Sequence, residues 1–304
     1  MKLYIIGNGF DLNHNLKTSY WNYRGFLLRK HPDIIGAFES SQYLEASYCT
    51  PDTRWTNLEF NLKISVEECM EYLSTNFYPD MNSERTPGWD DINLEVDNIF
   101  SFFSSFTNDC FYEWIGEVGI PHQSYIRTDV DRSAFFVTFN YTKTLEDLYQ
   151  IPNNNILHIH GSVDDYSTIQ FGTPDNHPGM VSQLLENIYS KDDFYNVTFA
   201  PAIRNLSGFA NIAYKNLNNN YNKLSMFLYS MGRTDEIVIM GHSYLGIDEP
   251  YYRDILVPAF INLKWTIYVF DEEDLFLANQ FIFKYGLRNV RLICWNGKTL
   301  FSSV

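Results

Sequence analysis

Six short apolar runs constrain the fold of this chain more than any other feature of its sequence. They span residues 2–6, 134–139, 156–160, 236–240, 265–270 and 290–294. Each is rich in isoleucine, valine or aromatic residues, which is typical of buried strands. Stretches with helical spacing alternate with them along the chain. The sequence therefore predicts an α/β fold, with a Rossmann-like parallel sheet and helices on both of its faces.

The segment from 32 to 130 has a different pattern, because its apolar residues recur at spacings of three and four. Two long amphipathic helices are predicted there, at 55–77 and 91–115. Helices that follow each other without a strand between them are not typical of an alternating α/β unit. We therefore predict an α/β domain formed by 1–31 and 131–304, with 32–130 as a helical insertion.

The composition excludes several classes of protein. With 304 residues, 45% of them hydrophobic, the chain can bury a large core. A formal charge of −15 at pH 7 argues against nucleic acid as a partner, because binding to its phosphates needs an excess of Lys and Arg. The four cysteines lack paired spacing, so we expect neither a disulfide framework nor a bound metal. Because no apolar run is long enough for a signal sequence or a membrane span, we expect a soluble cytoplasmic protein that does not bind membranes.

The first predicted strand ends in a glycine-containing loop, Gly7-Asn8-Gly9-Phe10-Asp11. Glycines let the backbone turn sharply and approach a ligand closely. A helix that begins at such a loop directs its N–H groups at the ligand, which favours a phosphate. The dinucleotide fingerprint requires a third glycine, and this chain has Leu12 at that position. A nucleotide site and a tight turn that binds nothing are therefore both open.

Small or hydrogen-bonding residues also follow the other predicted strands. They are Asn140-Tyr141-Thr142, His160-Gly161-Ser162, Gly241-His242-Ser243 and Asp271. In parallel sheets, ligands bind beyond the carboxyl ends of the strands. Several such junctions on one edge of one sheet predict a ligand cleft. Asn140 and Asp271 have a simpler interpretation as well, because Asn and Asp commonly cap the helix that follows them.

Five ordered motifs resemble those of a known family. They are IIGNGFDL, the W-x-N-L-E of residues 55–59, TFNYTKTLE, HIHGS and IMGHSYLGID. Together they resemble the AbiH family of bacterial phage abortive-infection proteins. That resemblance implies a function in antiviral defence. AbiH proteins in turn resemble sirtuin-like NAD-binding domains, which implies that the ligand is a dinucleotide, with NAD as substrate or ligand.

The sirtuin-like resemblance implies a role for each matching position. Gly7 and Gly9 match the loop that holds the pyrophosphate. Asn140 matches the asparagine that contacts the nicotinamide ribose, and His160 matches the base. The other positions that we assign to dinucleotide binding are Asn8, Asp11, Gly241, His242, Ser243 and Asp271.

Three departures from the sirtuin pattern are informative. Thr142 occupies the position at which sirtuin deacetylases have an aspartate. The four-cysteine zinc module is missing from the sequence, which counts against protein deacetylation. Arg24 is a distant match to the arginine that follows the sirtuin glycine loop. A dinucleotide site with an asparagine and a histidine remains.

A site of this kind can hydrolyse NAD to nicotinamide and ADP-ribose. Nicotinamide is a cationic leaving group, so the protein mainly has to orient the ribose and present a water with a base nearby. A histidine titrates near neutral pH, which suits His160 to the role of base. Glu59 or Asp11 can stabilise positive charge on the sugar. We place Glu59 beside Asn140 and His160 as a catalytic candidate, although a glutamate beside the apolar face of a helix is usually a solvated flank residue.

Other functions remain open. One is a catalytically silent nucleotide-binding sensor or interaction module, which Thr142 in place of the aspartate favours. A hydrolase nucleophile elbow at Ser243 is disfavoured, because Gly246 lies three residues after Ser243 where the elbow needs two. As protein partners we consider a second copy of the chain or a phage-derived activator.

Overall fold

The computed structural model describes residues 1–44, 49–77, 89–119, 130–179, 182–183, 186 and 211–295. The chain divides into two compact units. The α/β unit comprises Met1–Ser19, Ile115–Ile169 and Leu217–Val304, and the helical unit comprises Tyr20–Trp114 and Gln170–Asn216. These units differ from the predicted boundaries at 20–31, 115–130 and 170–216.

The α/β unit is built on a sheet of six parallel strands. The strands are β1 (Lys2–Ile6), β2 (Phe135–Thr138), β3 (Ile156–His158), β4 (Glu236–Met240), β5 (Lys264–Val269) and β6 (Val290–Cys294). Their order in the sheet is β3-β2-β1-β4-β5-β6, and every neighbouring pair is parallel. The predicted Rossmann-like parallel sheet is confirmed.

Both faces of the sheet are buried at its four central strands, and β1 shows why. Leu3 and Ile5 pack into one apolar cluster, whereas Tyr4 and Ile6 pack into the cluster on the other face. Successive side chains of a strand point to opposite faces, so a strand covered on both sides must be apolar at every position. This requirement explains the continuous apolar runs of the sequence.

Twelve α-helices are described in the ranges given above. They are α1 (Asn8–Asn13), α2 (Tyr20–Lys30), α3 (Pro32–Ser40), α4 (Pro51–Thr56), α5 (Leu58–Asn61), α6 (Val66–Phe77), α7 (Trp89–Ser104), α8 (Cys110–Glu117), α9 (Leu217–Met231), α10 (Glu249–Tyr251), α11 (Val257–Phe260) and α12 (Glu272–Tyr285). Turns of π-helix at Ser105–Asp109 and Tyr252–Leu256 join α7 to α8 and α10 to α11. Within the described ranges, no helix is long and apolar enough to cross a membrane.

The single helix predicted at 55–77 is wrong, because α4, α5 and α6 replace it. The chain leaves the helical path around Ile64, whose amide donates to the Asn176 side chain at 3.0 Å. Ile64 also forms an antiparallel bridge with Leu44. Backbone groups that bond elsewhere cannot complete a helix. The predicted apolar face is nonetheless buried, at Trp55, Leu58, Leu62, Cys69 and Leu73.

Candidate functional site

The carboxyl ends of β1 and β4 are neighbours near the centre of the sheet. The order of the strands along the chain reverses between these two strands. Open α/β sheets bind ligands at such a reversal, outside the carboxyl ends of the strands. The loops that begin at Gly7 and Gly241 flank this position, and Asn140 and His160 follow the adjacent strands β2 and β3.

The two glycine loops pack directly against each other. The Gly9 amide donates to the Gly241 carbonyl at 2.8 Å, and the Gly7 amide donates to the carbonyl that ends β4 at 3.1 Å. A Cβ atom on Gly9 would lie 2.7 Å from the Gly241 Cα. One on Gly7 would lie 2.5 Å from the His242 Cα. The loops need glycine because their backbones touch. The amides of Gly7 and Gly9, which were expected to face a phosphate, donate to carbonyl groups of the protein. The pyrophosphate role of Gly7 and Gly9 stays a prediction.

Asp11 is a buried carboxyl group held by two threonines. It lies on α1, two residues after Gly9, and it is only 1% exposed. Thr142 donates its hydroxyl to Oδ2 at 2.5 Å, and Thr144 donates to Oδ1 at 2.7 Å. Burial raises the pKa of Asp11 from 3.8 to about 6, and hydrogen bonds from Thr142, Thr144 and Asn140 limit the rise. Thr142, which occupies the position of the sirtuin aspartate, therefore contacts the carboxyl group of Asp11.

Replacing Asp11 with asparagine should change how stability depends on pH. The pKa of Asp11 in the folded protein, about 6, is above the ordinary 3.8, so in this window the folded state keeps a proton that the unfolded chain loses. Wild-type stability should therefore fall relative to that of Asp11→Asn as pH rises through the window, by about 3 kcal/mol in total. Urea unfolding of both proteins between about pH 4 and about pH 7 measures the difference. A difference that does not vary with pH would contradict this prediction.

Asn140 is fixed by its side chain and by its main chain. Its Nδ2 donates to the Gly7 carbonyl at 3.1 Å, which ties the end of β2 to the glycine loop. Nδ1 of His158 lies 3.0 Å from the Asn140 carbonyl, and Nε2 of His158 lies 2.7 Å from Oε1 of Glu146. His158 therefore positions the Asn140 backbone, a role that the sequence did not indicate.

His160 and His242 face one carboxylate. Nε2 of His160 lies 3.6 Å from Oδ1 of Asp248, and Nε2 of His242 lies 3.6 Å from Oδ2 of the same residue. The histidine side chains are 2% and 4% exposed, whereas that of Asp248 is 14% exposed. Phe139 packs against both rings, with centroids 5.3 Å from His160 and 3.9 Å from His242. The ends of β3 and β4 thus deliver two imidazoles to one acidic group.

Each of the two histidines contacts the hydroxyl group of a buried tyrosine. The Tyr251 hydroxyl lies 3.2 Å from Nε2 of His160 and accepts from Nδ2 of Asn220 at 2.9 Å. The Tyr252 hydroxyl lies 2.8 Å from Nδ1 of His242. Burial, followed by the charge of Asp248, raises the pKa of Tyr252 well above its ordinary value, so this hydroxyl keeps its proton and can donate it.

The other predicted ligand contacts lie on the surface and bond locally. Asn8 is exposed and donates from Nδ2 to the Thr18 carbonyl at 3.0 Å. Ser243 is exposed and donates to the Leu245 carbonyl at 2.8 Å. Asp271 caps α12, because its Oδ1 accepts from the backbone amide three residues later at 2.9 Å. The capping interpretation of Asp271 therefore holds, and its contact with a ribose hydroxyl stays a prediction.

Glu59 belongs to the helical unit, whereas the residues described above belong to the α/β unit. Its Oε2 lies 2.7 Å from Nζ of Lys215, and the two side chains are 10% and 1% exposed. A buried ion pair accounts for the burial of this carboxylate without catalysis. Arg24 lies in the helical unit as well, where its Nε donates to Glu39 at 2.8 Å. The catalytic role of Glu59 stays a prediction.

Replacing Glu59 with glutamine should destabilise the protein by about 3–5 kcal/mol, because it leaves the buried Lys215 ammonium without its carboxylate. The double variant Glu59→Gln/Lys215→Met should be less destabilised than Glu59→Gln alone. Urea unfolding of the variants measures both effects. Additive losses in the double variant would show that the two side chains are not coupled.

Three residues at this edge carry no assignment from the sequence: Asp248, Tyr251 and Tyr252. Asp248 ends the IMGHSYLGID motif, so a search for acidic residues within the motifs would have found it. Tyr251 and Tyr252 are fully buried in α10 and the π-helical turn after it. No sequence signal separates them from ordinary core aromatics.

A cavity of about 430 Å³ lies beside the threonines that hold Asp11. Thr142, Lys143 and Thr144 form part of its wall, and so does Tyr166. This volume is typical of small-molecule sites. In the part of the chain that the structure describes, the His, Cys, Asp and Glu side chains form no group of three suited to a metal ion. The expected absence of a metal stays a prediction.

The strand order and the polar groups at the reversal define a doubly wound α/β protein with a candidate ligand site. A family model described as "Bacteriophage abortive infection AbiH" matches residues 3–269. The match covers most of the chain, so the chain belongs to the AbiH family, and its function lies in phage abortive infection. Comparisons with curated proteins and with solved structures give no match.

Proposed function

We propose that this AbiH protein binds NAD at the reversal between β1 and β4 and hydrolyses it to nicotinamide and ADP-ribose. One observation carries the proposal: Asn140 and His160 follow adjacent strands at the carboxyl edge of a sheet with Rossmann strand order. Dinucleotides bind at this position in sheets of the same order. An uncharged amide and an imidazole are the groups that ribose orientation and proton acceptance require.

The proposed reaction is a displacement at the anomeric carbon of the nicotinamide ribose. The bond from this carbon to the nicotinamide nitrogen breaks, and its electron pair neutralises the cationic ring. A bond forms from the same carbon to a water oxygen. The water loses one proton, which His160 accepts. Asn140, tied to Gly7 at 3.1 Å and to His158 at 3.0 Å, has the fixed position that orienting a ribose needs.

Negative charge near the sugar would stabilise its oxocarbenium-like transition state. Asp11 is ionised above about pH 6, according to its raised pKa, and it is held by Thr142 and Thr144. The cavity beside these threonines offers space for part of the ligand. Family membership supports the biological side of the proposal, since destruction of a central cofactor would stop the growth of an infected cell.

A nucleotide-binding sensor without catalysis is the second candidate. The observation that favours it is a structural role of the Asn140 amide, whose Nδ2 donates to the Gly7 carbonyl at 3.1 Å and holds the glycine loop in place. The same hydrogen bond would serve a site that binds a nucleotide without cleaving it. Exposed Ser243 and the neighbouring His242 would then contact the nucleotide without chemistry.

Incubation of the purified full chain with NAD tests the proposal. Chromatography should show nicotinamide and ADP-ribose appearing in equal amounts. Calorimetric titration with NAD runs in parallel, because a sensor would bind NAD without product. Lysate from phage-infected cells is added in a second series, in case an activator is needed. Binding without product in both series would select the sensor, and the absence of binding and product would reject NAD as the ligand.

A further inference from the structure

We propose that Asp248 is the carboxylate that contacts the reacting ribose, and that the proton from the attacking water reaches His160 through it. This inference rests on the proposed function, because it names a further catalytic residue of the same site. Its basis is the contact of Asp248 with two buried histidines, Oδ1 to His160 and Oδ2 to His242, each at 3.6 Å.

Exposure distinguishes the three side chains. The side chain of His160 is 2% exposed and that of His242 is 4% exposed, so both rings lie behind the surface of the site. Asp248 is 14% exposed. A group that takes a proton from water beside the substrate must reach the substrate, and Asp248 is the member of this cluster with the larger exposed fraction.

Asp11 differs from Asp248 in the way its oxygens are used. Both oxygens of Asp11 accept from threonine hydroxyls, at 2.5 and 2.7 Å, and the residue is 1% exposed. Asp11 therefore fits a role in holding the Thr142–Thr144 segment and in contributing charge from a distance. Asp248 instead faces imidazoles, which can take up a proton that the carboxylate has received.

The surroundings of the histidines suit a proton acceptor. A distance of 3.6 Å is longer than a hydrogen bond but short enough for strong charge interaction. An imidazolium at His160 would be stabilised by the Asp248 carboxylate and by the Tyr251 hydroxyl at 3.2 Å. Asn220, fully buried, holds that hydroxyl from the other side at 2.9 Å. A buried polar network whose members are hydrogen-bonded is rigid, which fixes the position of the His160 ring.

The proposed step exchanges one bond at the anomeric carbon and moves one proton from water to solvent. The water oxygen bonds to the anomeric carbon as the bond to nicotinamide breaks and its electron pair moves to the nicotinamide nitrogen. The water proton moves to Oδ1 of Asp248 and from there to Nε2 of His160, once the 3.6 Å between these two atoms has shortened to a hydrogen bond in the NAD complex. His160 then releases the proton to solvent, so the products are nicotinamide, ADP-ribose and one proton. His242 orients Asp248 and does not exchange a proton with the substrate.

Asp248→Asn, which keeps the size of the side chain and removes its charge, tests the inference. Steady-state NAD hydrolysis should show a fall in kcat of about 10²- to 10³-fold with KM within about threefold of wild type, since the lost contact acts in the transition state. Formate added to Asp248→Ala should restore part of the activity and should not restore His160→Ala. The matched control is Asp254→Asn, because Asp254 also contacts a tyrosine, with Oδ2 2.7 Å from the Tyr221 hydroxyl, and is more exposed.

A second readout does not depend on NAD cleavage. The ring signals of His160 and His242 in NMR spectra should both shift in Asp248→Asn and stay in place in Asp254→Asn. A folded Asp248→Asn variant with wild-type kcat would overturn the inference while leaving the proposed function intact, and so would unshifted ring signals. If wild-type protein binds NAD without cleaving it, the proposed hydrolysis and the catalytic role of Asp248 both fail, even where the ring signals shift.

Discussion

Alanine in place of His160 should lower the rate of NAD hydrolysis about 10²- to 10⁴-fold, which corresponds to about 3–5 kcal/mol of activation free energy. The reason is positional and chemical. His160 follows β3 at the carboxyl edge of the sheet, and it is the imidazole that faces both Asp248 and the Tyr251 hydroxyl. Nicotinamide release by the wild type and the variant, measured at saturating NAD, gives the ratio.

A surface histidine is the control for this experiment. His177 is exposed and lies in the helical unit, so His177→Ala should cleave NAD at the wild-type rate. Urea unfolding should show that His160→Ala still folds cooperatively, because the removed ring leaves a cavity that costs stability. If the folded His160→Ala variant matched the wild type, the proton acceptor would be another group.

Gly241→Ala should destabilise the protein far more than the matched substitution Gly286→Ala. The two glycines have almost the same φ angle, 63° and 64°. Both variants therefore incur the cost of a left-handed conformation, about 1–2 kcal/mol. A Cβ on Gly241 would also lie 2.2 Å from the Phe10 amide nitrogen, whereas a Cβ on Gly286 meets nothing within 4 Å. The resulting displacement of the loops should bring the loss at Gly241 to about 3–5 kcal/mol.

Urea unfolding of the two variants measures this difference directly. Equal losses would mean that the loops after β1 and β4 can separate without cost. The result also bears on ligand binding, because a variant at this position cannot isolate a phosphate contact from the packing of the loops. The same holds for Gly9, whose Cβ would lie 2.7 Å from the Gly241 Cα.

The strands could be predicted because burial on both faces leaves a continuous apolar run. The bounds of β4 and β6 agree with the predicted runs 236–240 and 290–294. The order of the strands could not be predicted, since it depends on which runs pair in space. Helix α9 was not predicted, because Leu217–Met231 begins with several asparagines, which have low helix propensity. They interrupt the apolar pattern to which the buried Leu224 belongs.

The site was predictable only as a set of residue types at strand ends. Asn140 directly follows the apolar run 134–139 and His160 ends the run 156–160, so their position at the sheet edge follows from the parallel sheet. The contact of Thr142 with Asp11 could not be predicted from local periodicity, because the two residues are 131 positions apart in the sequence. The contacts of Asp248 with His160 and His242 could not be predicted either, because they too form only in the tertiary structure. The role of the glycines in binding a dinucleotide stays a prediction, and the structure adds a packing role that the sequence did not indicate, the contact of the two loops.

The position of β1 in the sheet has a consequence for synthesis of the protein. This strand is made first, yet its neighbours β2 and β4 begin only at Phe135 and Glu236. The edge of β1 that pairs with β4 therefore stays unpaired until the chain has been translated past Glu236, and such late, non-local pairing is slow. The loops after β1 and β4 meet only at that stage. A chain truncated before Glu236 should therefore lack β4 and the loop after it, and with them the contact between the two glycine loops.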